Sequence, residues 1–168
     1  MQQGQKPATG RKALLISGIA SSLLYIAMNI VSATLYPGYS SISQTISELS
    51  AIGAPTKPLW DPLVVIYVLL MIAFAIGVRA SAKGKRGLRV AGSLLMVSGV
   101  IGLAFPFASM NRREVLAAGG GTLSDTMHLV LGSVTVPLWI LAIAFAAKAF
   151  GTRFRRFSIG TLAVLLAS

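Results

Sequence analysis

Long apolar runs separated by short polar segments dominate the pattern of this sequence. A hydrocarbon core about 30 Å thick requires roughly 17 to 25 apolar residues in helical form. Four runs reach this length with no Lys, Arg, Asp or Glu in their middle, and they cover about residues 13–35, 62–78, 88–107 and 126–150. Because lipid offers the backbone no hydrogen-bond partners, such runs must form helices. The pattern predicts an all-α, polytopic transmembrane helix bundle with four complete spans.

A fifth apolar run begins at Phe157 and still continues at Ser168, where the sequence stops. A helix of this length rises only about 18 Å, which is too little to cross a bilayer. We expect it to be the truncated fifth span of a longer protein; a segment lying shallow against the bundle is the alternative. Residues 13–168 then form one transmembrane domain after a tail of residues 1–12. The first run is longer than the core of a signal peptide, so we interpret it as an uncleaved span.

The charges support the membrane interpretation and predict an orientation. Only 11% of the residues are charged, against about 25% in soluble domains. Twelve of the 15 Lys and Arg residues lie in the tail and in the loops after the second and fourth spans, whereas all four acidic residues lie on the other side. The positive-inside rule therefore places the N-terminus in the cytoplasm. We expect the basic tracts to bind anionic lipid headgroups and not nucleic acid, because they are short and lie between apolar runs.

Polar and small residues recur at helical spacing within the spans. Tyr25, Asn29 and Thr135 are candidates for lining a polar cavity, because polar groups at membrane depth face protein. The alternative is that they belong to contact surfaces between helices. Small residues in the third span allow close helix packing and predict a homo- or hetero-oligomer contact; they are Gly92, Ser98, Gly99 and Gly102.

Residues 36–61 form the longest loop, which we expect to lie outside the cell. Isoleucine and leucine recur in it at intervals of three and four residues. This spacing predicts a short amphipathic helix over 42–52, ended by Gly53.

An acid–histidine group is expected on the same side of the membrane. Asp125 and His128 are three residues apart and share a helix face, and Ser47 and Glu48 lie in the outer loop. These four residues are candidates for catalysis, and Glu48, Asp125 and His128 are candidates for binding a divalent metal. The alternative is structural, with Asp125 in a helix-capping box and His128 bonded to another helix. We predict no cofactor, and the absence of cysteine excludes thiolate metal sites.

Three short elements resemble a known family. They are the segment Tyr39–Leu49 with its Ile46-Ser47-Glu48-Leu49 element, Phe105-Pro106 at the end of the third span, and His128 at the start of the fourth. Together they resemble the prokaryotic membrane family catalogued as domain of unknown function 998, over nearly the whole chain. The resemblance implies about six membrane helices in a prokaryotic plasma membrane, and it implies no reaction. Members often carry an acidic residue after Phe-Pro, where this sequence has Phe107-Ala108-Ser109.

Two hypotheses on function follow. Polar stripes without a complete catalytic set favour a non-enzymatic component with a transporter-like, sensing or structural role. The alternative is a membrane-embedded hydrolase that acts at the outer face through Ser47, Glu48, Asp125 and His128. We favour the first, because contact between a nucleophile and a base cannot be read from a sequence.

The predicted orientation can be tested with single cysteines, because the sequence contains none. A membrane-impermeant maleimide added to intact cells should label Ser41→Cys, in the loop 36–61. It should leave Ser81→Cys, after the second span, unlabelled until the cells are lysed. The reverse pattern would invert the topology.

Overall fold

The computed structural model describes residues 6–167, and helices joined by short segments make up most of it. The α-helices are α1 (Lys6–Leu35), α2 (Lys57–Ala80), α3 (Arg86–Gly102), α4 (Arg113–Ala117), α5 (Leu123–Ala147) and α6 (Thr152–Ala167), and short 3₁₀ helices cover Ile46–Ser50 and Phe105–Phe107. Within the described residues, four helices are long and apolar enough to span a membrane, namely Thr9–Leu35, Lys57–Ala80, Arg86–Phe107 and Leu123–Ala147. The predicted all-α transmembrane bundle with four spans is therefore confirmed.

Helix ends differ from the predicted limits by several residues. α1 begins at Lys6, so residues 6–12 of the predicted tail belong to the first helix, and residues 1–5 lie outside the described part. α6 begins at Thr152 instead of Phe157. Apolar runs mark the depth of the hydrocarbon, whereas a helix continues into the polar interface as long as its backbone bonds continue. The hydrophobic pattern therefore underestimates the length of both helices.

Each spanning helix packs mainly on its neighbours in the chain. α1 packs on α2, α2 on α3, α3 on α5, and α5 on α6. Met71, Ala75, Leu95 and Ala142 form the buried cluster that joins α2, α3 and α5. Large apolar side chains on the outer faces of α1 and α5 are exposed, as expected for surfaces that face lipid.

Glycines allow the close packing of α3 on α2. A Cβ atom at Gly92 would lie 2.9 Å from the backbone nitrogen of Arg79, and one at Gly99 would lie 2.7 Å from Cγ1 of Ile72. Gly102 likewise faces α2. The small-residue face of α3, which the sequence predicted as an oligomer contact, is thus occupied by α2 of the same chain.

The charges divide the bundle into two ends. The acidic end carries the segments 36–56 and 103–122 and all four carboxylates of the chain. The basic end carries the segment 81–85 between α2 and α3 and the segment 148–151 between α5 and α6.

The Gly92→Ala variant should lose about 1–3 kcal/mol of stability, because the added methyl group overpacks the α2–α3 contact. Gly132→Ala is the matched control in α5, where a Cβ atom would meet nothing within 4 Å. It should be neutral or gain up to about 1 kcal/mol from better helix propensity. Thermal unfolding in detergent measures both. An unchanged midpoint for Gly92→Ala would contradict the close helix approach.

Candidate active site at the acidic end

The loop after α1 contains only a short helix. Ile46–Ser50 forms one turn of 3₁₀ helix, so the amphipathic helix predicted over 42–52 is wrong in length. The Glu48 carboxylate accepts the backbone N–H of Thr45 at 3.1 Å. This bond belongs to a capping box that makes Thr45 the N-cap residue, so the helix begins at Ile46 and not at Ile42. Ile42, expected on the apolar face, is fully exposed.

Glu48 holds this loop against the segment 103–122. Its side chain is 5% exposed, and its two oxygens accept hydrogen bonds from Arg113 Nε at 2.8 Å and Nη2 at 2.6 Å. Gln44 Nε2 donates a further bond at 2.9 Å. These bonds, above all those from Arg113, lower the pKa of the Glu48 carboxyl to about 2. The ion pair is therefore present at neutral pH and fixes the adjacent Ser47.

Asp125 holds the same segment against the start of α5. It accepts the backbone N–H of Asn111 at 2.6 Å and the side-chain amide of Asn111 at 2.8 Å. It also forms a capping box with Thr122, whose backbone N–H lies 2.7 Å from the carboxylate. The backbone N–H of Ile52 donates to the carbonyl oxygen of Met110 at 2.8 Å, and this bond joins the loop after α1 directly to the segment 103–122. Both acids thus connect polypeptide segments, and the hydrogen bonds of the histidine go to other residues.

Ser47 and His128 are in direct contact. Ser47 Oγ lies 3.0 Å from Nε2 of His128, and the carbonyl oxygen of Ala108 lies 2.9 Å from Nδ1. Because a carbonyl only accepts, Nδ1 carries the proton, and Nε2 of the neutral ring can accept the proton of the serine hydroxyl. Phe105 packs edge-on against the imidazole, with ring centroids 5.2 Å apart. The group has the nucleophile, the base and the orienting partner that covalent catalysis by serine requires.

A cavity of about 240 Å³ lies beside this pair. Aromatic side chains contribute much of its wall, namely Tyr25, Trp60, Tyr67, Phe105 and Trp139. Along α5 the lining runs from His128 to Trp139, a helix rise of about 16 Å. The cavity therefore begins at the loops of the acidic end and extends to about half the depth of a hydrocarbon core.

The structure separates the three predicted cavity residues. Tyr25 and Thr135 line the cavity. Asn29 lies instead in a neighbouring groove against the loop after α1, and its side-chain amide donates to the Tyr25 carbonyl at 2.7 Å. Asn29 follows Tyr25 by one turn of α1, but this spacing does not place both side chains at the cavity.

Sequence reasoning missed the contribution of α2. Six residues at helical spacing on one face of α2 line the cavity, namely Trp60, Asp61, Val64, Tyr67, Val68 and Met71. That periodicity could have indicated them. Asp61 is paired with Lys57 at 2.8 Å. The carbonyl of Ala108 gave no signal in the sequence, because any residue supplies one.

The three residues that the sequence offered as metal ligands, Glu48, Asp125 and His128, all have protein partners in the structure. Glu48 and Asp125 are engaged by the bonds described above, and both ring nitrogens of His128 have partners. Within residues 6–167, no group of three or more His, Cys, Asp or Glu side chains is placed to hold a metal ion.

The fold defines a multi-pass membrane protein, and comparison with known proteins identifies its family. The family model described as Protein of unknown function (DUF998) matches residues 19–168. Because the match covers most of the chain, the protein belongs to this family, as the short elements in its sequence indicated. No curated protein matches the chain, and no solved structure matches it.

Glu48→Gln should destabilise the protein by about 1.5–3 kcal/mol at neutral pH, because it weakens charge-assisted bonds to Arg113. The pKa of Glu48 is lowered in the folded state, so the stabilisation is present above the ordinary value of 4.5 and is lost as the pH falls through about 2. The difference in unfolding midpoint between wild type and Glu48→Gln should therefore stay constant from pH 8 to pH 5 and shrink at lower pH.

Glu114→Gln is the control for this measurement, because Glu114 is a neighbouring exposed acid. It should leave the midpoint within the range of ordinary surface substitutions, about 0.5 kcal/mol. Equal effects of the two variants would mean that Glu48 does not anchor the loop.

Proposed function

We propose that this protein is a membrane-embedded serine hydrolase that cleaves an acyl ester. The observation that carries the proposal is the 3.0 Å contact between Ser47 Oγ and His128 Nε2, with Nδ1 held by the Ala108 carbonyl. The contact supplies what sequence reasoning lacked when it favoured a non-enzymatic role. A histidine with a structural role would also have partners on both ring nitrogens, but it would need no cavity beside it.

The residues perform the reaction in two half-steps. Nε2 of His128 takes the hydroxyl proton while Oγ of Ser47 bonds to the acyl carbon, and the same proton then leaves with the released alcohol. A water molecule, deprotonated by Nε2, attacks the acyl-serine, releases the fatty acid and restores the hydroxyl. The Ala108 carbonyl stabilises the charged imidazole of each half-step through Nδ1–H. Glu48 and Asp125 are positioning residues, because they hold the segments that bear Ser47 and Ala108.

The cavity indicates the class of substrate. Its aromatic interior suits an acyl chain, and the Ser47–His128 pair at its loop end suits the ester group of an amphiphile that lies in the membrane. The volume of about 240 Å³ is below the range of about 300–1,000 Å³ for drug-sized ligands. We therefore expect a short chain, or part of a longer one, to enter. With the predicted orientation, the reaction occurs at the outer face of a prokaryotic plasma membrane.

A second candidate function is binding without chemistry, in a sensing or transporter-like role. Ser98 and Thr135 line the cavity, and Thr135 lies about two turns deeper in α5 than His128. Polar groups at that depth suit a ligand that carries polar atoms into the bundle. Fluorescence can detect such binding, because both tryptophans of the chain, Trp60 and Trp139, line the cavity.

Labelling with an alkyl fluorophosphonate tests the enzyme proposal. The protein in phosphatidylcholine nanodiscs should be modified at Ser47, as found by peptide mass spectrometry, and should hydrolyse 4-nitrophenyl acyl esters. Ser47→Ala should abolish the label. His128→Ala should lower both rates by about 100-fold or more, since a positioned general base contributes about 10²–10⁴-fold. Ser43→Ala, which changes an exposed serine of the same loop outside the cavity, should retain both activities.

Two outcomes would reject the enzyme. One is a label on a different residue, and the other is ester hydrolysis that is unchanged in Ser47→Ala. If wild type neither reacts nor turns over while a fatty acid changes the tryptophan fluorescence, the second candidate replaces the first.

A further inference from the structure

A groove at the basic end lies between the start of α3 and the end of α5. Its volume is about 600 Å³, and Lys85, Arg86 and Lys148 all line it. Two separate parts of the chain thus bring three cations to one place. It lies at the opposite end of the bundle from the Ser47–His128 pair and is independent of the proposed hydrolase.

In the described part of the chain, no carboxylate lies within salt-bridge distance of these cations. All four acidic residues of the chain lie at the acidic end, and the two salt bridges of the described residues use Lys57 and Arg113. Lys85 Nζ donates to the carbonyl of Ala149 at 3.0 Å and lies 5.0 Å from the ring centroid of Phe150. These contacts hold the lysine at the rim of the groove while leaving its charge uncompensated.

Close helix packing fixes the positions of the cations. A Cβ atom at Gly87 would lie 2.7 Å from the carbonyl oxygen of Phe145, so α3 and α5 approach each other directly beside Arg86 and Lys148. The arrangement therefore belongs to the packed bundle, and the distance between the cation-bearing helix ends does not depend on a flexible loop.

The groove also has an apolar wall on the membrane side of the cations. Val90 follows Arg86 by one turn in α3, and Phe145 precedes Lys148 by nearly one turn in α5. The side chain of Phe145 is partly exposed. Charged groups at the interface with apolar groups one turn deeper match the order of phosphate and acyl chain in a phospholipid.

We propose that this groove binds one anionic phospholipid, with its phosphate among Lys85, Arg86 and Lys148 and an acyl chain along Val90 and Phe145. The general attraction of basic tracts to anionic membranes is thereby localised to one site. Zwitterionic lipid has the same chains but no net charge, so it is the natural comparison.

Native mass spectrometry of the full chain, released from nanodiscs with equal phosphatidylglycerol and phosphatidylcholine, tests the proposal. Wild type should retain phosphatidylglycerol in preference to phosphatidylcholine. Changing Lys85, Arg86 and Lys148 to Gln should reduce that preference by about tenfold or more, since each cation near the surface contributes to anionic lipid binding. Changing Arg153, Arg155 and Arg156 to Gln removes the same net charge outside the groove and should reduce the preference clearly less than the groove variant does.

Phe145→Ala separates a lipid site from a phosphate site. It keeps the three cations and should lower retention of phosphatidylglycerol. If the two triple variants lost the preference for phosphatidylglycerol equally, overall charge would explain the binding and the proposal would be overturned. Displacement of the lipid by millimolar inorganic phosphate, or undiminished retention in the groove variant, would also overturn it. If the groove variant does not fold, by circular dichroism, the single variant Lys148→Gln and Phe145→Ala decide the question.

Discussion

The ion pair between Glu48 and Arg113 is the contact on which the candidate site depends. Ser47 and His128 are 81 residues apart. Ser47 lies in the loop after α1, whose short helix packs mainly on α1 and α2, whereas His128 lies in α5, which packs mainly on α3. The loops cross this gap. Glu48 binds the loop after α1 to the segment 103–122, and Asp125 binds that segment to α5. Charge-assisted bonds suit this task because they are short and directional.

Lipid as a solvent explains the rest of the architecture. Association of helices in a membrane gains nothing from hiding apolar surface, so it depends on close packing and on polar contacts. Gly92 and Gly99 supply close packing between α2 and α3. Residues of α1, α2, α3 and α5 line one cavity although the helices pack in chain order, so the row of helices curves around it. Polar groups whose exposure to lipid would be unfavourable can then face the cavity.

The two ends of the bundle use charge in different ways. At the acidic end, three carboxylates have structural roles. Glu48 and Asp125 bind the loop after α1 and the start of α5 to the segment 103–122, and Asp61 pairs with Lys57. At the basic end, no cation of residues 6–167 forms a salt bridge with a carboxylate. The proposed chemistry therefore belongs to the Ser47–His128 pair at one end, and the proposed lipid binding belongs to the uncompensated charges at the other.

The sequence by itself determined the helical class and the number of spans, because lipid permits only internally bonded backbone and fixes the length of a span. It also indicated Ser47, Glu48 and His128 as notable residues through their type and family resemblance. Only the tertiary structure decided that the serine, and not the acid, meets the histidine. It also showed that the helix expected over 42–52 covers only 46–50, and that the small-residue face of α3 packs on α2. Periodicity reports which residues share a face of one helix, whereas contacts between distant segments depend on how loops fold across the bundle, and local patterns do not encode that.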